Sequence, residues 1–172
     1  MPTPLTPLIQ ALDAERTALL AELETLPVAR LKAQVSPGRW SMLEIVEHLV
    51  AAERVILQGL PPVAELVARP RRLKHRLTYL VVTLVLTLRI PVKAPSRRML
   101  PSGTRELADL RLEWDDHLRW LRDYATSLAP GQPLPAVFTH PVAGPITLLQ
   151  ALRMDLKHLR IHARQIRSLR AG

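Results

Sequence analysis

The residues best placed to do chemistry are two histidines near the end of the chain, His158 and His162. They lie in a stretch where Leu148, Leu152, Asp155, Leu159, His162, Ile166 and Leu169 follow alternating four- and three-residue steps, the period of a helix with one buried face. Residues four apart on a helix lie one above the other. Two imidazoles so placed form a two-nitrogen clamp for one transition-metal ion, a geometry shared with helical zinc motifs. The competing role for such a pair on a basic helix is plain solvation. Two features point inward instead: Asp155 and His162 occupy positions of the stripe that should be apolar, and His158 falls between them in helical space.

Two ligands bind weakly, so a third must come from another element. His48 is the candidate. It lies one turn after Glu44 and Ile45 and one turn before Ala52, on or beside the core face of its own helix. Metal ligands in helical bundles project inward from facing helices, and an imidazole in a core otherwise needs a hydrogen-bond partner. Three neutral imidazoles suit zinc, nickel, copper, cobalt or iron. They also leave coordination positions open, as catalytic sites do. Asp155, Glu47 and Gln165 are available to orient a ligand imidazole through its outer nitrogen. Asp155 is foremost among them because its position is closest to the histidine face, with a cap on a nearby arginine as its competing role. His75 and His117 sit among charged residues and read as surface groups, and His140 falls in a loop before Pro141.

The elements that must position these residues are legible from punctuation. Leu8 to Leu26 reads as helix 1, stopped by Pro27. Ser41-Met42-Leu43-Glu44 has the form of a capping box opening helix 2, with Trp40 placed to pack on Ile45 as a staple, and Gly59 with Pro61 and Pro62 closes it near Gln58. Residues 63–90 hold a further helix or two broken near Pro70, and Pro91, Pro95 and Pro101 mark a loop. Helix 3 runs from about Ser102 to Leu128, with a cap offered by Ser102 to Glu106. Residues 129–145, rich in proline and glycine, read as loop. A second capping box, Thr147-Leu148-Leu149-Gln150, opens helix 4. The expectation is an all-α chain, a single domain over residues 1–172: a four-helix bundle with a long crossover between helices 2 and 3.

Composition bounds the rest. With 48% apolar residues but only 3% aromatic ones, the core must be built from Leu, Val, Ile and Ala. No cysteine is present, which excludes disulfides, thiolate metal sites and a cysteine nucleophile. The N-terminus lacks the pattern of a secretion signal. The apolar run between Arg76 and Arg89 holds 12 residues, too few to span a bilayer as a helix. A cytoplasmic protein without a transmembrane segment is the expectation. The net charge of +9 has one source. Residues 69–98 carry nine Lys/Arg and no acid, while elsewhere 15 bases meet 15 acids. Such a segment can attract nucleic acid or anionic lipid, or be a solvated connection. Tyr79 is its only aromatic residue, which argues against stacking on single strands, and no recognition helix is evident. No specific nucleic-acid partner is expected.

Trp40-Ser41, Glu44, Glu47-His48-Leu49 and Glu53, then His140-Pro141, Gly144, Thr147 and the His158/His162 pair followed by Gln165-Ile166, form an ordered set. This set resembles the DinB/YfiT-like superfamily of metal-dependent helical proteins. The resemblance spans most of the chain. It implies a four-helix bundle with a long crossover, a metal held by one histidine of helix 2 and two of helix 4, and a homodimer. The matching positions here are His48, His158 and His162. Zinc and nickel are the ions it implies, and thiol-dependent S-transferases and a mycothiol-dependent isomerase are among the activities. With no cysteine in the chain, a thiolate nucleophile must come from a low-molecular-weight thiol cosubstrate. The functional expectation is a metal-dependent transferase or hydrolase. The alternative is a non-enzymatic, metal-stabilised binding protein that contacts a second copy, a membrane or nucleic acid through residues 69–98.

Overall fold

The structure is a computed structural model, and it describes residues 4–88, 96–129 and 131–172. The expected loop prolines Pro91 and Pro95, the end of the apolar run at Ile90, and the bases Arg89 and Lys93 lie outside the described residues.

Helix α1 (Thr6–Glu24) starts with Pro7 in its first turn, where the missing N–H costs nothing, and buries Ile9, Leu12, Leu19, Leu20 and Leu23. Pro27 then stands at the start of a short helix, α2 (Val28–Lys32). Helix α3 (Met42–Gln58) opens on the expected capping box. The Ser41 hydroxyl accepts the Glu44 N–H at 3.2 Å, and the Glu44 carboxylate accepts the Ser41 N–H at 2.7 Å. It ends at Gly59, against which the Phe138 ring is pressed. The crossover contains a 3-10 turn (Val63–Glu65), helix α4 (Leu73–Leu88) and a second 3-10 turn (Arg97–Met99).

Helix α5 (Leu107–Thr126) begins later than Ser102. The reason is that the Ser102 and Gly103 N–H groups and the Ser102 hydroxyl all donate to Glu47, and Gly103 takes a left-handed φ of 73°. A segment so held cannot start a helix.

The proline-rich stretch expected to be loop instead forms a hairpin: β1 (Ala136–His140) pairs antiparallel with β2 (Gly144–Thr147), with Phe138 opposite Ile146 and a bulge after Ala136. Both of those side chains are buried, and the turn closes on Gly144 at φ 70°. A hairpin of only two strands gains its stability from such packing. Helix α6 (Leu148–Ala171) follows directly, with the Thr147–Gln150 capping box in place.

Both α1 and α3 pack on α5 and on α6, so these four helices enclose one core. Helix α4 lies outside it, against α6 and β2. The chain is predominantly helical as expected. The hairpin is the departure from an all-α description.

Candidate metal centre

The middle of α3 and the middle of α6 meet in the core, and there His48, His158 and His162 come together. Ring centroids are 5.0 Å apart for His48 with either partner and 4.6 Å for His158 with His162. One ligand atom from each falls within 4.8 Å of the others. His48 Nε2 faces His158 Nε2 at 3.1 Å. Tetrahedral coordination at about 2.0–2.1 Å per nitrogen separates ligand nitrogens by roughly 3.3 Å. The closest pair already approaches that spacing, so the donor set fits a transition-metal ion.

Two of the outer nitrogens are engaged elsewhere. His48 Nδ1–H donates to the Met99 carbonyl at 2.6 Å, and His162 Nδ1–H donates to Gln165 Oε1 at 2.9 Å. Each bond fixes a ring and turns Nε2, with its lone pair, towards the other histidines. The Trp40 ring covers His48, with centroids 4.8 Å apart. Burial drives all three imidazoles below their ordinary range. For His48 the Met99 carbonyl opposes the shift. His158, held well below the usual imidazole range by burial, also feels His162 and His48. His162 is lowered to about 4 by burial and then by His48, with Gln165 opposing. All three are therefore neutral at pH 7, the state that offers a lone pair to a cation.

Of the three residues expected to orient an imidazole, Gln165 does so directly. Glu47 does so at one remove. Its carboxylate accepts from Ser102 N–H at 2.9 Å, the Ser102 hydroxyl at 2.7 Å and Gly103 N–H at 3.0 Å, tying to α3 the strap whose Met99 carbonyl holds His48. Asp155 makes no hydrogen bond to any of the three imidazoles, and its Oδ2 is buried without a partner among the described residues. Burial, and then the charge of Glu53, push its carboxyl well above the usual range.

Asp155 belongs with a second buried polar group. The Trp114 Nε1–H donates to Glu53 Oε2 at 2.6 Å. His117 Nδ1 lies 4.0 Å from Glu53 Oε1, and its Nε2 lies 3.5 Å from Glu113. Arg16, also buried, pairs with Asp13 and Asp115. Burial raises Glu53 to about 7, against the Trp114 bond and the Arg16 charge. His117 is thus not the surface residue its charged neighbours suggest. It stands three after Trp114 and four before Leu121, both buried, and that helical phase is the signal that could have placed it. His140 Nδ1 accepts the Val142 and Ala143 N–H groups and closes the hairpin turn, and His75 packs over Gly144. The carbonyl of Met99 had no signature in the sequence, since any residue supplies one.

A protein-family model described as the DinB superfamily matches residues 11–166. No match was found among curated proteins or among solved structures. The three histidines on two helices, and a family match over nearly the whole chain, lead to one statement: the chain belongs to the DinB superfamily.

Proposed function

We propose that this protein is a metal-dependent enzyme in which α1, α3, α5 and α6 form a four-helix bundle and His48, His158 and His162 hold one divalent transition-metal ion, zinc or nickel. The observation that carries the reading is the convergence of three neutral imidazoles, two of them with the outer nitrogen already engaged by Met99 or Gln165. An ion held by three protein nitrogens keeps positions open, and it makes a bound water or thiol easier to deprotonate. The chain has no cysteine, so a thiolate would have to be brought by a small cosubstrate. The activity proposed is therefore that of a thiol-dependent transferase or hydrolase. Trp40, its ring tilted against that of His48, covers it, and Glu47 holds the strap that positions it.

The test is metal content by mass spectrometry on protein purified without a histidine tag, beside the variant His48→Ala/His158→Ala/His162→Ala. Near-stoichiometric metal in the wild type and none in the variant is the expected result. A wild type still empty after equilibration with zinc and nickel, above the imidazole range at about pH 8, ends the reading. Turnover of a small thiol with an electrophile panel, lost in the variant, is the second expectation. Full metal with no turnover on thiol or hydrolytic substrates would reduce the ion to a stabiliser of the fold.

A further inference from the structure

Helix α4 has two faces of different character. Tyr79, Val82 and Leu86 pack on the core, His75 lies against Gly144, and Lys157 of α6 donates to the Thr87 hydroxyl at 2.7 Å. Its inward face is therefore occupied. On the other face Leu73, Leu77, Leu80, Val81, Leu84 and Leu88 are each more than half exposed, from 55% at Leu77 and Leu84 to 72% at Leu73. At 3.6 residues per turn these six side chains fall within an arc of about 100°. Lys74 projects just beyond one edge of that arc and Arg76 beyond the other, both exposed. An exposed apolar stripe bordered by bases is the pattern of a helix that lies in a membrane interface.

Charge and area select the occupant. Bases precede the helix (Arg69, Arg71, Arg72) and follow it in the sequence (Arg89, Lys93, Arg97, Arg98), and residues 69–98 contain no acid. Two copies joined through this face would find no acid in residues 69–98 to set against these bases. A strip about 24 Å long and 10 Å wide also falls well short of the roughly 800 Å² per partner of a stable interface. An anionic surface answers both the charge and the apolar stripe. No helix among the described residues is long and apolar enough to cross a membrane. We propose that the outward face of α4 docks on anionic phospholipid bilayers, the helix lying flat in the headgroup layer with Leu77, Leu80, Val81 and Leu84 towards the acyl chains and Lys74 and Arg76 on the phosphates. This is independent of the metal centre.

The absence of cysteine makes a site-specific probe simple. Full-length Leu84→Cys protein, labelled with an environment-sensitive fluorophore, is mixed with vesicles of equimolar phosphatidylcholine and phosphatidylglycerol, or of phosphatidylcholine alone. The same label at Arg119→Cys, on the exposed surface of α5, is the comparison. The expected result is a blue-shifted, brighter emission from the α4 label with anionic vesicles only, weakened by salt, and none from the α5 label. In flotation of unlabelled protein, Lys74→Glu/Arg76→Glu should bind at least about tenfold more weakly, and Leu80→Glu/Leu84→Glu should not bind. Circular dichroism and metal content matching the wild type establish that both variants are folded. The proposal is overturned if the α4 label ignores anionic vesicles. It is equally overturned if that label responds to protein concentration or to duplex DNA rather than to lipid.

Discussion

Among single residues, Glu53 and Gln165 carry the sharpest consequences. Glu53 has a folded pKa of about 7 against an ordinary 4.5. The folded protein therefore keeps a proton that the unfolded chain releases. The stability this provides is full below about pH 4.5 and falls as pH rises to about 7, by about 3 kcal/mol for a shift of that size. Glu53→Gln retains an oxygen for the Trp114 N–H but cannot ionise. In metal-free protein, urea unfolding should show the variant gaining on the wild type between those two pH values, whereas parallel curves would contradict the assignment. The core imidazoles act in the opposite sense, because their folded values are depressed, and their contribution is lost as pH falls below 6.5. That loss is common to both proteins and cancels in the comparison. Gln165→Ala frees the His162 ring from its only side-chain hydrogen bond among the described residues. It should weaken zinc binding about tenfold or more with helicity unchanged, and affinity equal to the wild type in a competition titration would remove Gln165 from the site.

Helices and strands differ in how plainly they were written. Both capping boxes announced themselves because the chemistry of a helix N-terminus is local: Ser41 with Glu44 and Thr147 with Gln150 satisfy their own free N–H groups. The His158/His162 pair was legible for the same reason, since four-residue spacing within a helix fixes proximity. The hairpin was not. Proline and glycine over residues 129–145 signal turns, and nothing local shows that Phe138 will be buried on the end of α3. The close approach occurs at Gly59, where a Cβ would stand 2.7 Å from two Phe138 ring carbons. Gly59→Ala should therefore destabilise the protein by about 1–3 kcal/mol, although its φ of −84° is open to any residue. A denaturation midpoint unchanged in the variant would show that the ring and hairpin yield without cost. The delayed start of α5 has the same origin, because Ser102 is drawn to Glu47, which lies 55 positions earlier in the chain.

The whole molecule divides its work between a core that gathers polar groups and a crossover that carries the charge. Ion pairs such as Arg167 with Glu22 and Arg160 with Glu15 join α6 to α1 on the surface, and exposed pairs of this kind contribute little each. The crossover supplies the Met99 carbonyl to the histidines and presents the apolar side of α4 outward. An ion bound only by the folded chain adds stability by mass action, about 2.7 kcal/mol at a hundredfold excess over Kd. The most direct test of the centre is therefore at its nitrogens. Zinc is titrated into protein labelled with nitrogen-15 in histidine, and the ring resonances are followed. The Nε2 signals of His48, His158 and His162 should shift together and saturate at one equivalent. The Nδ1 protons of His48 and His162 should persist, and His75, His117 and His140 should stay unmoved. Fewer than three responding rings, a response at the His48 or His162 Nδ1, or saturation beyond one equivalent would contradict the three-histidine centre.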